Sequence, residues 1–81
     1  MHYDPTPWHD DLDRRFTYNP PFGDQPDRYV MIRQAARGIA ELVVQLTPVS
    51  REQSLALTHL DEVVMFANAA IARNETNPEA D

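Results

Sequence analysis

The sequence predicts an all-α protein, an antiparallel helical hairpin with an extended N-terminal arm. Apolar residues recur at helical spacing in two segments, residues 26–47 and 50–74. The short connection between them, Thr47-Pro48-Val49, leaves room only for an antiparallel return of the second helix. Five prolines, at positions 5, 7, 20, 21 and 26, precede or open the first segment. They favour an extended or irregular conformation for residues 1–25.

Length and composition allow one small domain. The chain has 81 residues and a formal net charge of -6, and all seven of its basic residues are arginine. A chain this short buries only about 60% of its unfolded surface and is marginally stable alone. Since it has no cysteine for a disulfide, oligomerisation is the usual remaining means of stabilisation. We therefore expect a homo-oligomer.

The same counts exclude several classes of protein. Without cysteine there is no disulfide scaffold and no cysteine-ligated metal site. No apolar run approaches the roughly 20 residues of a membrane span, and the first residues, Met1–Pro5, lack the basic and apolar regions of a signal peptide. The acidic charge disfavours binding to DNA or RNA through phosphates. We expect a soluble protein with no membrane and no nucleic-acid polymer as partner.

The first segment has helix signals at both ends. Asp24 is placed to act as the N-cap, and Thr47-Pro48 ends the helix. Arg33 and Arg37 are i, i+4 neighbours beside the apolar stripe. That stripe is formed by Tyr29, Ile32, Ala36, Ile39, Val43 and Leu46.

The second segment opens with a capping box, Ser50-Arg51-Glu52-Gln53. Its two apolar stripes cover about half of the helix circumference, which is wider than the roughly 100° that one partner helix requires. The excess predicts contacts between subunits. The stripes are Leu57, Leu60, Val64, Ala67 and Ile71, and beside them Ala56, Val63, Phe66 and Ala70.

We divide the chain into three parts. Residues 1–15 are predicted to form a flexible, acidic and proline-rich tail, residues 16–75 the helical-hairpin domain, and residues 76–81 a disordered tail. Trp8 lies in the first tail and has no assigned role. The histidines of that tail fit the spacing of no metal site.

No enzyme signature is present. The two glycines form no phosphate-binding loop. Asp61 and Glu62 are adjacent on a helix, so their side chains diverge and favour a solvated edge over an acid–base pair. His59 is expected to be a packed or surface histidine. We therefore expect no catalytic residue, no metal and no cofactor.

The segment from Phe16 to Pro21 has two interpretations. Phe16 and Tyr18 can be anchors that pack this arm over the hairpin. Alternatively, an aromatic ring here can stack on a base, while Arg33 and Arg37 supply forked donors to phosphate. An acidic chain with a few convergent arginines suits a small anionic nucleotide better than a polymer.

Four strings carry a resemblance to a known family. They are FTYNPP at residues 16–21, GDQPDRY at 23–29, SREQSLALT at 50–58 and MFANAAIARNE at 65–75. They resemble the small phage proteins that defeat CBASS immunity, with anti-Thoeris sponges as more distant relatives. The resemblance covers about residues 16–75.

The resemblance implies a sponge that binds cyclic nucleotide messengers without cleaving them. It also implies a compact homo-oligomer, typically a hexamer, with cyclic dinucleotide pockets between subunits. Some members hold cyclic trinucleotides in separate pockets near a threefold axis. The protein would then act in the cytoplasm of an infected bacterial host.

Site residues follow from the same resemblance. Tyr18 matches the stacking tyrosine of the arm, with Asn19 as a neighbour. Arg33 matches the basic residue of the first helix, or Arg37 if the register slips, where many relatives carry lysine. Arg73 matches the arginine of the trinucleotide pocket.

Two other functions remain open at this point. The exposed helix faces can bind a host protein, in which case Phe16 and Tyr18 only pack and no nucleotide binds. An enzyme that degrades the messenger is the third hypothesis, and it lacks a nucleophile, a metal set and a base.

Overall fold

The computed structural model describes residues 6–78, with side chains from residue 9 onward, and contains three helices. They are α1 (Thr6–Phe16), α2 (Gln25–Leu46) and α3 (Arg51–Asn74). No strand occurs among the described residues. Helices α2 and α3 pack against each other across their short connection as the predicted hairpin. The all-α class and the hairpin are therefore confirmed.

Helix α1 shows that the extended or irregular conformation predicted for residues 1–25 is wrong over Thr6–Phe16, whereas residues 17–24 are irregular as predicted. Pro7 is the second residue of the helix, where proline is tolerated because the first N–H groups have no intrahelical partner. After it, proline is absent until position 20. Asp11 then forms ion pairs with Arg14 and Arg15, each at 3.0 Å. Such pairs, three and four residues apart, support a surface helix.

A tight turn leads from the arm into α2. Gly23 has a φ of 57°, a left-handed conformation that glycine adopts without steric cost, and the Gln25 N–H donates to the Phe22 carbonyl at 3.0 Å. Asp24 occupies the predicted N-cap position, but its side chain makes no capping hydrogen bond. It accepts instead from Arg28 Nε at 3.1 Å. The N-cap prediction is thus right in position and wrong in contact.

The connection between α2 and α3 is held by side chains from both helices. Thr47 ends α2 by donating its N–H to the Val43 carbonyl at 3.1 Å, and Ser50 caps α3 by accepting from the Gln53 N–H at 3.1 Å. The Gln53 side chain does not complete the capping box. It reaches across to the carbonyl and the hydroxyl of Thr47, at 3.1 and 3.2 Å. This contact fixes the sharp reversal of the chain.

The hairpin has almost no interior. Within the described residues no apolar side chain is fully buried, and the single buried residue is Gln25. The Cα radius of gyration is 17.7 Å, against about 12 Å for a compact domain of this length. The principal extents of 52 × 42 × 12 Å describe a thin slab. One chain alone therefore leaves most of its apolar surface wet.

The burial of the apolar stripes agrees with the sequence prediction on α3 and agrees less well on α2. The first stripe of α3, from Leu57 to Ile71, is half-buried against α2, whereas Val63 and Phe66 of the second stripe are 58% and 68% exposed. On α2, the predicted members Ile39 and Leu46 are exposed. The neighbouring Ala40 takes an inward place instead.

Helix α3 is also long and apolar enough to cross a membrane, with a mean hydropathy of 1.3 over 18 residues. The sequence analysis considered only uninterrupted apolar runs and therefore did not identify α3 as long and apolar enough to span a membrane. Asp61 and Glu62 interrupt its apolar sequence near the middle of the helix. Each charge at a bilayer centre costs about 2.5–3.5 kcal/mol. The core helix of a soluble protein passes the same test when it is mostly buried, whereas none of this window is buried within one chain.

A polar clasp joins the end of α3 to the start of α2. Glu75 accepts from both terminal nitrogens of Arg28, at 2.6 and 2.7 Å, and from Gln25 Nε2 at 2.9 Å. The Gln25 side-chain oxygen in turn accepts from the Phe22 N–H at 3.2 Å. The hydrogen bond from Arg28 is the main cause that lowers the pKa of Glu75 from 4.5 to about 2. The same contact raises the pKa of Arg28.

The clasp makes the free energy of unfolding decrease at acidic pH. Since the folded state lowers the pKa of Glu75, the contribution of this carboxylate is fully present above pH 4.5 and is lost as the pH falls toward 2. We expect the coupling free energy between Glu75→Gln and Arg28→Gln to decrease over that range. Urea unfolding of the double-mutant cycle at several pH values measures it. A coupling free energy that stays constant from about pH 6 to about pH 2.5 would contradict this assignment.

The α3 cap gives a second prediction. Ser50→Ala removes the acceptor for the Gln53 N–H and should lower the free energy of unfolding by about 1 kcal/mol. Ser54→Ala, one turn further along the same helix, is the matched control and should change it by less than roughly 0.5 kcal/mol. Urea unfolding at one fixed protein concentration compares the two variants. Equal effects would show that the Ser50 hydroxyl does not act as a cap.

Candidate functional site

A wide concave surface lies between α2 and α3 near the arm. This Arg33–Arg73 groove has a volume of about 620 Å³ and opens to solvent. Arg33 comes from α2 and Arg73 from the last turn of α3. The resemblance places these two arginines in different pockets, whereas within one chain they line the same groove. Its lining is Pro21, Pro26, Tyr29, Val30, Arg33, Asn68, Ala69, Ala72 and Arg73.

Neither arginine of this groove has a carboxylate partner among residues 9–78. The side chains of Arg33 and Arg73 form no hydrogen bond and no ion pair with residues 9–78. Arg28 and Arg37 are in contrast paired with Glu75 and Glu41. A guanidinium without a carboxylate partner offers forked donors that match phosphate oxygens. The groove can therefore bind an anion without breaking an existing ion pair.

Two groove residues were not among the predicted site residues. Tyr29, which the sequence analysis placed in the packing stripe, is half-buried and supplies an aromatic wall. Asn68 has a buried side-chain oxygen that accepts no hydrogen bond from any described residue. The available signal was its position, because Asn68 is the one polar residue between Ala67 and Ala70.

Arg33 also borders a second concave surface, the Arg33–Arg37 groove, of about 410 Å³. Arg37 is 83% exposed, and its Nε lies 3.2 Å from Glu41. Exposed pairs of this kind contribute about 0–1 kcal/mol, so Arg37 can exchange partners at small cost. Asp61 of α3 lines the same groove, with apolar residues around it. The two predicted α2 arginines are thus brought together.

Tyr18 and Asn19 are not brought to these arginines within one chain. Tyr18 is 81% exposed and lines neither groove. Asn19 donates to the Thr17 carbonyl at 3.2 Å and borders a separate pocket beside Phe22 and Glu75. A contact between Tyr18 and Arg33 would need a second subunit.

The packing interpretation of the arm fails within one chain. Phe16 is 80% exposed and Tyr18 81% exposed, so neither ring anchors the arm to its own hairpin. His59 is a surface residue as expected, with Nδ1 3.0 Å from Glu62 Oε1. Residues 6–78 hold no group of three or more side chains that fits a metal ion.

The fold and the grooves define a small helical protein with unpaired arginines between its two long helices. The family model of the Acb2/Tad1 hairpin domain matches residues 9–72. The chain therefore belongs to this anti-CBASS and anti-Thoeris sponge family, and the resemblance seen in the sequence is confirmed. No curated protein and no solved structure matches the chain.

The match covers most of the candidate site. Tyr18, Asn19, Arg33 and Arg37 lie inside it, and Arg73 is the first residue beyond its end. Its start at residue 9 falls in α1, within the part that the domain division assigned to a tail. Membership indicates a role as a cyclic-nucleotide sponge in the evasion of anti-phage defence, and sponges of this family are non-catalytic binding proteins.

Proposed function

We propose that this chain is a phage-encoded sponge that sequesters cyclic dinucleotide and cyclic trinucleotide messengers without cleaving them. Holding the messenger blocks CBASS signalling in the cytoplasm of the infected bacterial host. The observation that carries the proposal is the pair of unpaired guanidinium groups, Arg33 and Arg73, on one open groove of an acidic chain. Family membership supplies the class of ligand.

Each site residue has a proposed role. Arg33 binds phosphate or a guanine edge, and Tyr18 stacks on a base. Arg37 and Asn19 are secondary contacts, and Arg73 serves the trinucleotide. Arginine in place of the lysine of many relatives keeps the charge but adds a second parallel donor.

The proposal includes a homo-oligomer, with a hexamer as the expected form. The exposed apolar residues of α2 and α3 support assembly because one chain buries none of them fully. An interface between subunits would also bring an exposed aromatic ring to a groove, since Tyr18 lines neither groove of its own chain.

The energetics require such pre-assembly. Nanomolar binding corresponds to about -12 kcal/mol. Two stacked bases contribute about 1–3 kcal/mol each, and two charged hydrogen bonds about 1.5–3 kcal/mol each. These gains reach the required affinity only if the groove is already formed and few groups must be ordered on binding.

Isothermal titration with a panel of 3′,5′-linked cyclic dinucleotides and trinucleotides tests the function, with light scattering for the mass. We expect tight binding, and intact nucleotide recovered after heat denaturation of the complex. Cleaved nucleotide would instead indicate an enzyme. No heat with any member on a well-formed oligomer would leave the interaction module, a protein that binds a host protein through its exposed faces.

Substitution of the dinucleotide contacts gives a direct prediction. Tyr18→Ala and Arg33→Ala should each abolish cyclic dinucleotide binding and leave the oligomer intact. Arg51→Ala is the matched control, because Arg51 is an exposed arginine at the other end of α3. It should bind like the wild type. Unchanged affinity in both site variants would overturn the site assignment.

Arg73 separates the two classes of messenger. Arg73→Ala should weaken only cyclic trinucleotide binding if the assembled protein has two distinct pockets. Titration of this variant with one dinucleotide and one trinucleotide measures the difference. Loss of both ligands would mean that the groove shared by Arg33 and Arg73 acts as one site.

Assembly is tested on the second stripe of α3. Val63→Asp places a charge on a side chain that is 58% exposed in one chain, and it should dissociate the oligomer because burying an unpaired carboxylate is costly. Thr58→Asp, an exposed polar position on the same helix, is the control and should assemble normally. Light scattering reads out the mass. Full assembly of the Val63 variant would show that this face is not an interface.

A further inference from the structure

Another concave surface lies between α1 and the end of α3. This α1–α3 pocket has a volume of about 310 Å³, and its lining is mostly polar. Arg14 and Arg15 of α1 face Arg73 and Asn74 of α3 across it. Its size is at the lower end for small-molecule sites, so it suits a phosphate group with part of a nucleoside.

The charge of the pocket is positive on an otherwise acidic protein. Three guanidinium groups line it with one carboxylate, Asp11. Asp11 holds Arg14 through one terminal nitrogen and Arg15 through Nε, both at 3.0 Å. The remaining N–H groups of these two arginines make no hydrogen bond within residues 6–78. Asp11 therefore positions the two side chains without neutralising the pocket.

An aromatic ring completes the surface. Phe66 lines the same pocket and is 68% exposed. Guanidinium groups recognise phosphate through paired donors, and an exposed ring is a stacking surface for a base. The two together are the chemistry that recognises a nucleotide phosphodiester.

We propose that α1 is a binding element, and that Arg14 and Arg15 join Arg73 in holding a phosphate of the bound nucleotide. The identity of the ligand as a cyclic nucleotide rests on the proposed function, whereas the anion pocket itself does not. Helix α1 then adds two charged contacts that the hairpin alone cannot supply.

The first test uses inorganic pyrophosphate, which needs no messenger. We titrate the full-length protein and follow the arginine Nε–H signals by NMR. Saturable shifts are expected for Arg14, Arg15 and Arg73, while Arg51 at the far end of α3 should not shift. Shifts confined to Arg73, equal shifts at Arg51, or no shift would each overturn the proposal.

The second test uses a pair of variants that leaves the sequence of α1 unchanged. Ala70 lines the pocket from α3 and is exposed. Ala70→Glu introduces a carboxylate there, and Ala70→Gln introduces a side chain of nearly the same shape without charge. Because Ala70 belongs to the second stripe of α3, the two variants are compared at the same oligomeric mass, measured by light scattering. Pyrophosphate should bind roughly 10-fold more weakly to the glutamate variant than to the glutamine variant. Equal affinity would contradict a pocket that works by charge.

The third test assigns the ligand. The double variant Arg14→Gln/Arg15→Gln should bind cyclic triadenylate roughly 10- to 100-fold more weakly than the wild type, and Arg51→Gln should bind normally. A wild type that binds pyrophosphate but no cyclic nucleotide would refute the proposed function and leave the anion pocket standing. A wild type that binds cyclic triadenylate with no loss in the double variant would refute the role of α1 and leave the sponge standing.

Discussion

The structure depends on one constraint: two helices cannot enclose a core. A helix buries one face against a single partner, and in this chain the apolar residues of α2 and α3 extend well beyond that face. No apolar side chain in residues 6–78 is fully buried. The conformational entropy lost on ordering each residue, about 1–2 kcal/mol for the backbone, is then not offset within one chain. The proposed assembly would complete the fold and the binding surfaces through the same contacts.

What one chain does fix is the path of its ends. The left-handed turn at Gly23, the buried Gln25 and the Arg28–Glu75 ion pair tie the arm, the start of α2 and the end of α3 into one polar unit. This unit lies beside the Arg33–Arg73 groove, because Pro21 and Pro26 form part of the groove wall. Polar contacts connect these elements here, as a hydrophobic core does in a larger domain.

The two long helices could be predicted to within a residue because their signals are local. Capping by Ser50, the stop at Thr47-Pro48 and the apolar spacing act within a few positions of each other. Helix α1 was not predicted because the sequence analysis used the number of prolines in residues 1–25 and not their positions. Proline at the start of a helix does not oppose helix formation. The meeting of Arg33 with Arg73 could not be predicted either. It depends on how two helices pack across about 40 residues of sequence, which no local pattern encodes.

The distribution of charge is compatible with the proposed binding of a small nucleotide by an acidic protein. A net charge of -6 repels long nucleic acids, whose affinity grows with the number of phosphates contacted. At close range the pattern is reversed, because carboxylates neutralise Arg28 and Arg37 and leave Arg33 and Arg73 unpaired at the groove. Ionic screening over about 8 Å separates the two effects. A small anion inside the groove is attracted by its nearest arginines, while a polymer that must cover the surface meets the acidic remainder.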